Sequence, residues 1–219
     1  MQNLAEMLQC IDQYYEYLHI HKQKFTSDGF PIISPKCYLN AVPKFIVPFY
    51  HRNDKHITDP KKTVIAFFDK DRNIYPRFDK IFNDISEYKK FMGVVSPDIT
   101  LTADMDPEWQ NMIALANQLL IAILAINGIK IILNTRSGNN FKYIFAHIPH
   151  NLMCISSTLG CSKKQPAYDF SYLKKILYLS PSILLIYGTH NLTSDANLSR
   201  MGIQYKYYPD FHTYSKEVR

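Results

Sequence analysis

Five short apolar runs recur along this chain, and each ends at a polar or glycine-containing segment. The runs are Val64–Phe68, Met92–Val95, Ile129–Leu133, Leu152–Ile155 and Ile183–Ile186. Near-continuous apolar strands separated by helical patterns are typical of a parallel sheet with helices on its faces. We therefore predict an α/β fold with a mainly parallel sheet flanked by helices, either doubly wound or an incomplete barrel. The spacing leaves the strand order open.

An amphipathic helix is predicted near the N terminus, over residues 3–24. Its apolar stripe follows i, i+3/i+4 spacing and consists of Leu4, Met7, Leu8, Ile11, Tyr15 and Leu18. We expect the stripe to dock on the domain, with a partner-binding or dimerising helix as the alternative. Residues 26–63 are rich in proline and turn residues and predict an irregular collar with one or two short extended pieces. The helix and collar, residues 1–62, are thus expected to pack on an α/β core at 63–219.

Helix signals follow the first two runs. Pro76 is expected to open a helix after the first run, because proline suits the first helical position. Asp106 is expected to cap a second helix, which continues to about Ile126 and ends at Asn127-Gly128. The second half of that helix is apolar nearly all round, which predicts a buried helix.

The last third of the chain carries weaker signals. Residues Asp169–Leu179 predict the last clear helix. Residues 203–208 predict an additional edge strand, and the final residues are expected to fray.

Composition places the chain among ordinary globular proteins. It has 219 residues, 47% of them hydrophobic and 20% charged, and a net charge of +6. No secretory pattern opens the sequence, and its four cysteines form no CxxC pair, so we expect a cytoplasmic protein with reduced thiols. The strongest apolar run, Leu119–Ile126, is too short to cross a bilayer, so no membrane partner is expected. The positive charge permits a polyanionic partner without requiring one.

Carboxylates follow the first two runs and predict a metal site. Asp69 and Asp71 follow the first run and Asp98 follows the second, with Asp104 and Asp106 further on. Hard oxygen ligands at adjacent strand ends suit Mg²⁺ or Mn²⁺, which would bridge phosphate oxygens. Alternatively, one of these aspartates, such as Asp69, Asp71 or Asp98, acts as a general base. The plain alternative is that these carboxylates cap helices and turns.

Anion-binding groups follow the later runs instead. Asn134 and Arg136 end the third run, and the planar guanidinium of arginine suits a phosphate or a carboxylate. A surface arginine beside an asparagine in a turn is the alternative. Arg136 also joins Asp69 and Asp98 in the predicted catalytic set, and Asn134 is predicted to orient the ligand.

Hydroxyl groups and a histidine complete the predicted ligand-binding set. Ser156, Ser157 and Thr158 end the fourth run, where hydroxyl and backbone N–H groups favour an anion. Tyr187 and His190 follow at the fifth run. His190 is a candidate for acid–base chemistry, and a surface loop histidine is the alternative.

Several common chemistries are disfavoured. The serines lack a GxSxG elbow, and the chain has neither a Walker A nor a GxGxxG pattern. The series His147, His150, Cys154 and Cys161 has the residue types of a zinc site, but Cys154 lies inside an apolar run and the spacing matches no usual zinc knuckle. In the segment 205–208, tyrosines alternate with Lys206, which suits either stacking on single-stranded nucleic acid or an amphipathic edge strand.

The order of short motifs resembles the DUF4417 family, whose function is unknown. The motifs span roughly residues 40–190 and are Val42-Pro43-Lys44 to Pro48-Phe49, Phe67-Phe68-Asp69-x-Asp71, Gly93-Val94-Val95-Ser96-Pro97-Asp98, Asn127-Gly128-Ile129-Lys130 with Asn134-x-Arg136, Ile148-Pro149, Ile155-Ser156-Ser157 with Gly160, and Tyr187-Gly188. The resemblance implies a protein of bacterial phages or mobile elements and supports the polar strand ends as the site. It implies no particular reaction.

The chain departs from the family pattern at three places. The family tends to carry arginines where this chain has Ala116–Leu120, an aromatic residue where Ser137 stands, and an Asp-Gly before the isoleucine that follows Ala146-His147. If those groups contribute to an activity, this member is divergent or inactive.

We predict a pocket at the carboxyl ends of the strands that binds a phosphate-bearing small molecule or a nucleotide, with metal-assisted hydrolysis or transfer. One alternative is a nucleic-acid-binding protein of phage or plasmid replication, which would use the basic surface. Another is a non-enzymatic protein that binds and inhibits a host factor through its N-terminal helix.

Overall fold

One sheet of seven strands organises the chain. The computed structural model describes residues 4–97, 99, 101, 105–137, 140–158 and 170–217. The strands are β1 (Phe45–Pro48), β2 (Thr63–Ala66), β3 (Gly93–Val95), β4 (Ile131–Asn134), β5 (Met153–Ser157), β6 (Ile183–Tyr187) and β7 (Tyr205–Tyr208). All neighbouring pairs are parallel, and the strands follow one another in the sheet in chain order. The five apolar runs thus supply β2 to β6, the collar supplies β1, and the predicted edge strand is β7.

Helices connect the strands. They are α1 (Leu4–Ile20), α2 (Asp71–Asp79), α3 (Ile81–Tyr88), α4 (Pro107–Ile126), α5 (Phe141–Ile144), α6 (Phe170–Leu179), α7 (Leu192–Arg200) and α8 (Phe211–Glu217). Connections between parallel strands are right-handed. When each strand is added on the same side of the previous one, as here, right-handed connections place every connecting helix on the same face of the sheet. The other face is then buried only if the sheet curls on itself.

The sheet therefore forms a nearly closed barrel, and of the two predicted arrangements it is the incomplete barrel. A doubly wound sheet requires a reversal of strand order, and this order never reverses. Alternate strand residues fill the barrel interior together with Leu39 from the collar; they are Ile46, Val64, Ala66, Val95, Ile132, Met153, Ile155, Leu185, Tyr187 and Tyr208. The intervening residues, such as Ile65 and Leu184, pack against the helices.

The seam of the barrel lies between β1 and β7. The Tyr208 hydroxyl donates a hydrogen bond of 2.5 Å to the carbonyl of Pro43, just before β1. Helix α8 covers this seam, and the ring of Tyr214 lies 5.2 Å from that of Phe45. The expectation that the final residues fray is therefore wrong up to residue 217, because α8 packs against β1 and buries Phe211.

Two helices confirm predictions about burial. In α1, the buried residues are Met7, Cys10, Ile11, Tyr14 and Leu18, and the helix packs along α4. The predicted stripe was partly out of phase, since Leu4 and Leu8 are about half exposed.

Helix α4 begins as predicted, with the Asp106 carboxylate accepting from the Trp109 N–H. It ends at Ile126, with Asn127 as its C-cap and Gly128, whose φ is +79°, directly after. Among the described helices, α4 has the length and apolarity to cross a membrane, and 61% of its most apolar window is buried inside the domain.

The prediction that Pro76 opens a helix is wrong. Helix α2 already begins at Asp71, and Pro76 lies inside it. The backbone then breaks at Lys80 before α3 begins. The proline signal was misplaced because the loop after β2 is only a few residues long, so the chain turns into helix before it reaches Pro76.

Candidate functional site

The polar strand ends lie together at one rim of the barrel. Because all strands are parallel, their carboxyl ends face the same way. Ser96 after β3, Asn134 at the end of β4, Ser157 at the end of β5 and Tyr187 at the end of β6 all belong to this rim. The rim is the usual place for ligands in parallel barrels.

Asn134, at the end of β4, is held in place by hydrogen bonds. It is buried, with 4% of its surface exposed. Its backbone N–H donates to the Ser96 hydroxyl at 2.8 Å, and its side-chain oxygen accepts from the Arg136 N–H at 3.0 Å. The second bond is an Asx turn, which orients the backbone of Arg136 as the strand ends. The turn at Asn134, which was part of the alternative interpretation of these residues, is therefore present. It links Asn134 to Arg136, two residues of the predicted site.

A small polar cavity lies beside this turn, between α4 and the ends of β3 and β4. Its volume is about 20 Å³, which is room for roughly one water molecule. Ser96, Asn134 and Arg136 line it on the strand side, and Asn117 and Gln118 line it from α4. The Asn117 side-chain oxygen is buried and accepts no hydrogen bond from a described residue. A buried acceptor of this kind calls for a donor from water or from a ligand.

The hydroxyl groups at the end of β5 are partly engaged in the fold. The N–H of Thr158 donates to the Tyr187 carbonyl at 2.9 Å, and its hydroxyl accepts from the Thr189 N–H at 2.8 Å. Ser156 is hydrogen-bonded to Tyr172, whose pKa is raised chiefly by burial. Ser157 lies in register with Tyr187 and is half-buried. Thr158 thus joins the ends of β5 and β6 to each other.

An aromatic pair closes the barrel beneath the rim. The Phe68 ring, just after β2, stacks on the Tyr187 ring with centroids 5.2 Å apart. Tyr187 is buried, and its hydroxyl accepts from the Phe211 N–H at 2.8 Å. Burial raises the pKa of Tyr187 well above its usual value, so the phenol stays neutral at physiological pH. Phe68 is half-buried and forms a floor at the rim.

His190 lies on the outer side of the rim. Its ring stacks on Tyr207 at 3.6 Å and its Nδ1 is 3.6 Å from an Asp195 carboxylate oxygen. The Tyr207 hydroxyl donates to the other oxygen of Asp195 at 2.6 Å. The histidine side chain is 69% exposed, so the surface position given as the alternative is the one observed.

Two of the three predicted metal ligands, Asp69 and Asp71, lie just before and at the start of α2. Asp69 is exposed and accepts from the Lys70 N–H at 2.7 Å, while Asp71 is the first residue of α2. Asp98 and Asp104 lie outside the described residues. Within the described ranges, no three His, Cys, Asp or Glu side chains converge as a metal-binding group. Asp69 and Asp71 are the predicted metal ligands that the structure describes, and their role as ligands stays a prediction.

The described members of the zinc-like series have other surroundings. His147 pairs with Asp28 at 2.9 Å, and Cys154 is buried in β5. Burial raises the pKa of Cys154 to about 12, which makes the thiol an inert core group. Cys161 lies outside the described residues.

Sequence reasoning missed the contribution of α4 and of Ser96. Asn117 interrupts the apolar second half of α4, and that interruption was the available signal. Ser96 stood within the β3 motif, but its bond to Asn134 depends on β3 and β4 being neighbours, which local sequence does not show.

These observations define a class of protein, the nearly closed parallel α/β barrel with a polar rim at its strand ends. Residues 27–206 match the DUF4417 family, a domain of unknown function. The match spans most of the chain, so the chain belongs to the DUF4417 family, over a wider range than the motifs had indicated. No curated protein and no solved structure matches it significantly.

Proposed function

We propose that the rim binds a phosphate-bearing small molecule, and specifically a nucleotide. The observation that carries this proposal is the turn at the end of β4, which holds Arg136 beside a polar cavity while Asn134 and Ser96 keep it in place. An arginine fork is suited to phosphate oxygens.

The neighbouring groups support a nucleotide over a bare anion. Phe68 offers an apolar ring at the same rim, on which a base can stack. The cavity itself admits about one water, so the ligand would bind at its mouth and satisfy Asn117 directly or through that water.

A divalent metal is a further part of the proposal. Asp69 and Asp71, with Asp98, would hold Mg²⁺ or Mn²⁺ against the phosphates and support hydrolysis or transfer. Asp69 or Asp98 would otherwise serve as the base.

The experiment is a thermal-shift and calorimetric screen with ATP, AMP and pyrophosphate, each with and without Mg²⁺ or Mn²⁺. A ligand present at 100 times its Kd stabilises the fold by about 2.7 kcal/mol, which raises the Tm of a chain of this size by roughly 5–10 °C. Arg136→Ala should abolish the shift, and Arg136→Lys should weaken it because the fork is lost. Arg200→Ala, which removes an exposed arginine at the end of α7, is the control and should behave as wild type.

The proposal fails if none of these probes stabilises the wild-type protein. It also fails if Arg200→Ala loses as much affinity as Arg136→Ala. Release of phosphate only in the presence of metal would support the catalytic part, and metal-independent binding without turnover would reduce the proposal to a binding protein.

A further inference from the structure

A second surface lies at the opposite end of the barrel, where the strands begin. Lys44 immediately precedes β1, Lys62 precedes β2 and Lys130 precedes β4. Lys89 and Lys90 lie between α3 and β3. These lysines are exposed. We call Lys44, Lys61, Lys62, Lys89, Lys90 and Lys130 the lysine face.

Backbone pairing holds these positions in register. The Lys44 N–H donates to the Lys62 carbonyl at 2.8 Å, and the Val94 N–H donates to the Lys130 carbonyl at 2.8 Å. Neighbouring strands lie about 4.8 Å apart, so the arc from β1 to β4 is roughly 14 Å long. The backbone positions that carry these lysines are therefore fixed along one edge of the barrel.

Two of the ammonium groups are further oriented by backbone carbonyls. The Lys61 ammonium donates to the Lys89 carbonyl at 2.9 Å, and the Lys130 ammonium donates to the Lys36 carbonyl at 2.6 Å. An ammonium group has three donors. Each lysine thus keeps donors for a partner while its position is restrained, and Lys36 adds another positive charge beside Lys130.

The face carries a surplus of positive charge. Asp59 pairs with Lys62 at 3.1 Å, and Glu87 pairs with Lys90 at 2.6 Å. None of the other four lysines of the face forms a salt bridge with a carboxylate in the described part of the chain. The aromatic residues nearby, Phe45 and Phe91, are half-buried or buried, so the face offers charge rather than rings for insertion into a bilayer or between bases.

We propose that the lysine face binds nucleic acid through its phosphate backbone, without base recognition. Phosphates of a DNA strand advance about 3.4 Å along the helix axis, so an arc of about 14 Å spans roughly four of them. A series of exposed lysines at fixed backbone positions along one edge suits a linear polyanion, and each phosphate contact releases counterions. This surface is separate from the rim that contains Arg136.

The test is fluorescence anisotropy with a short labelled DNA duplex and a labelled single strand, between about 50 and 200 mM salt. We expect the wild-type protein to bind with a Kd of about 10⁻⁶ to 10⁻⁴ M, and we expect its affinity to fall as the salt concentration rises. Lys44→Gln with Lys130→Gln should weaken binding and reduce the slope of log affinity against log salt by about 2. The matched control is Lys55→Gln with Lys174→Gln, which removes the same charge from exposed lysines of the 52–59 loop and α6 and should leave the slope unchanged.

Three results would overturn the proposal: no binding by wild type, equal weakening in both double variants, or binding to phosphatidylserine vesicles but not to DNA. Circular dichroism establishes that the variants are folded. Arg136→Ala should bind DNA as wild type does, so failure of the nucleotide site and failure of the lysine face are distinguishable.

Discussion

The Phe68 ring stacks on the Tyr187 ring with centroids 5.2 Å apart and planes inclined by 26°. Phe68 follows β2 and Tyr187 ends β6, and three strands lie between β2 and β6 in the sheet. In a flat sheet those strands would lie about 19 Å apart. The contact therefore depends on closure of the barrel, and it lies directly beneath the polar residues of the rim.

Tyr187 also links the barrel to α8, which gives a first prediction. Tyr187→Phe removes the acceptor of the Phe211 N–H and leaves a buried donor unpaired. We expect a loss of about 1–3 kcal/mol in the free energy of unfolding, measured with urea. Tyr205→Phe is the control. Tyr205 is half-buried, and the substitution removes a hydroxyl that forms no hydrogen bond with a described residue. Equal losses in the two variants would contradict the role assigned to the Tyr187 hydroxyl.

A second prediction concerns the close approach of β3 to β4. A Cβ at Gly93 would lie 2.8 Å from the Lys130 carbonyl oxygen, the acceptor of the Val94 N–H. Gly93→Ala is expected to cost about 1–3 kcal/mol and to accelerate amide hydrogen exchange at Val94. A Cβ at Gly202 would meet no atom within 4 Å, but the φ of this residue is +69°. Gly202→Ala therefore measures the cost of placing alanine in a backbone conformation that favours glycine, and it should leave hydrogen exchange at Val94 unchanged. Unaltered exchange at Val94 in Gly93→Ala would contradict the prediction, because it would show that the added Cβ leaves the β3–β4 hydrogen bond intact.

A third prediction concerns the acid side of the stability profile. Burial raises the pKa of Asp210, but hydrogen bonds from Thr213 and His212 at the start of α8 outweigh it, and the pKa is lowered overall. A carboxyl group whose pKa is lower in the folded state than in the unfolded state stabilises the fold at pH values above its unfolded-state pKa, which is near 3.9. This stabilisation is lost as the pH falls through the folded-state pKa. Asp210→Asn should therefore be less stable than wild type at neutral pH, and the difference should shrink below about pH 4.

Urea unfolding across the pH range measures that difference. Asp12→Asn, at an exposed carboxylate of α1, controls for the loss of one negative charge. A gap between wild type and Asp210→Asn that stays constant down to the lowest pH would contradict the prediction.

Local patterns predicted most of the secondary structure. The five apolar runs predicted β2 to β6 because strands buried on both faces need apolar residues on both. The cap at Asp106 and the stop at Gly128 bounded α4 because helix ends require specific partners and backbone conformations. Pro76 misled because its preference for a helix start is weak beside the short loop that starts α2 earlier.

The candidate site was predictable only in part. Asn134 and Arg136 lie together because they are neighbours in sequence at the end of one strand. Ser96 and Asn117 join them through strand order and helix packing, which no local pattern contains. His190, by contrast, had the residue type of a catalytic group but is largely exposed beside Tyr207.

Sequence patterns were sufficient for the class of fold and for the end of the sheet at which polar groups gather, since periodicity and capping are local properties. Strand order, closure across the seam from Tyr208 to Pro43 and the pairing of Phe68 with Tyr187 depend on contacts between distant segments. The same apolar strands would satisfy a doubly wound sheet or a barrel. The choice follows from where each crossover places its helix and from burial of the inner face, which are properties of the whole chain.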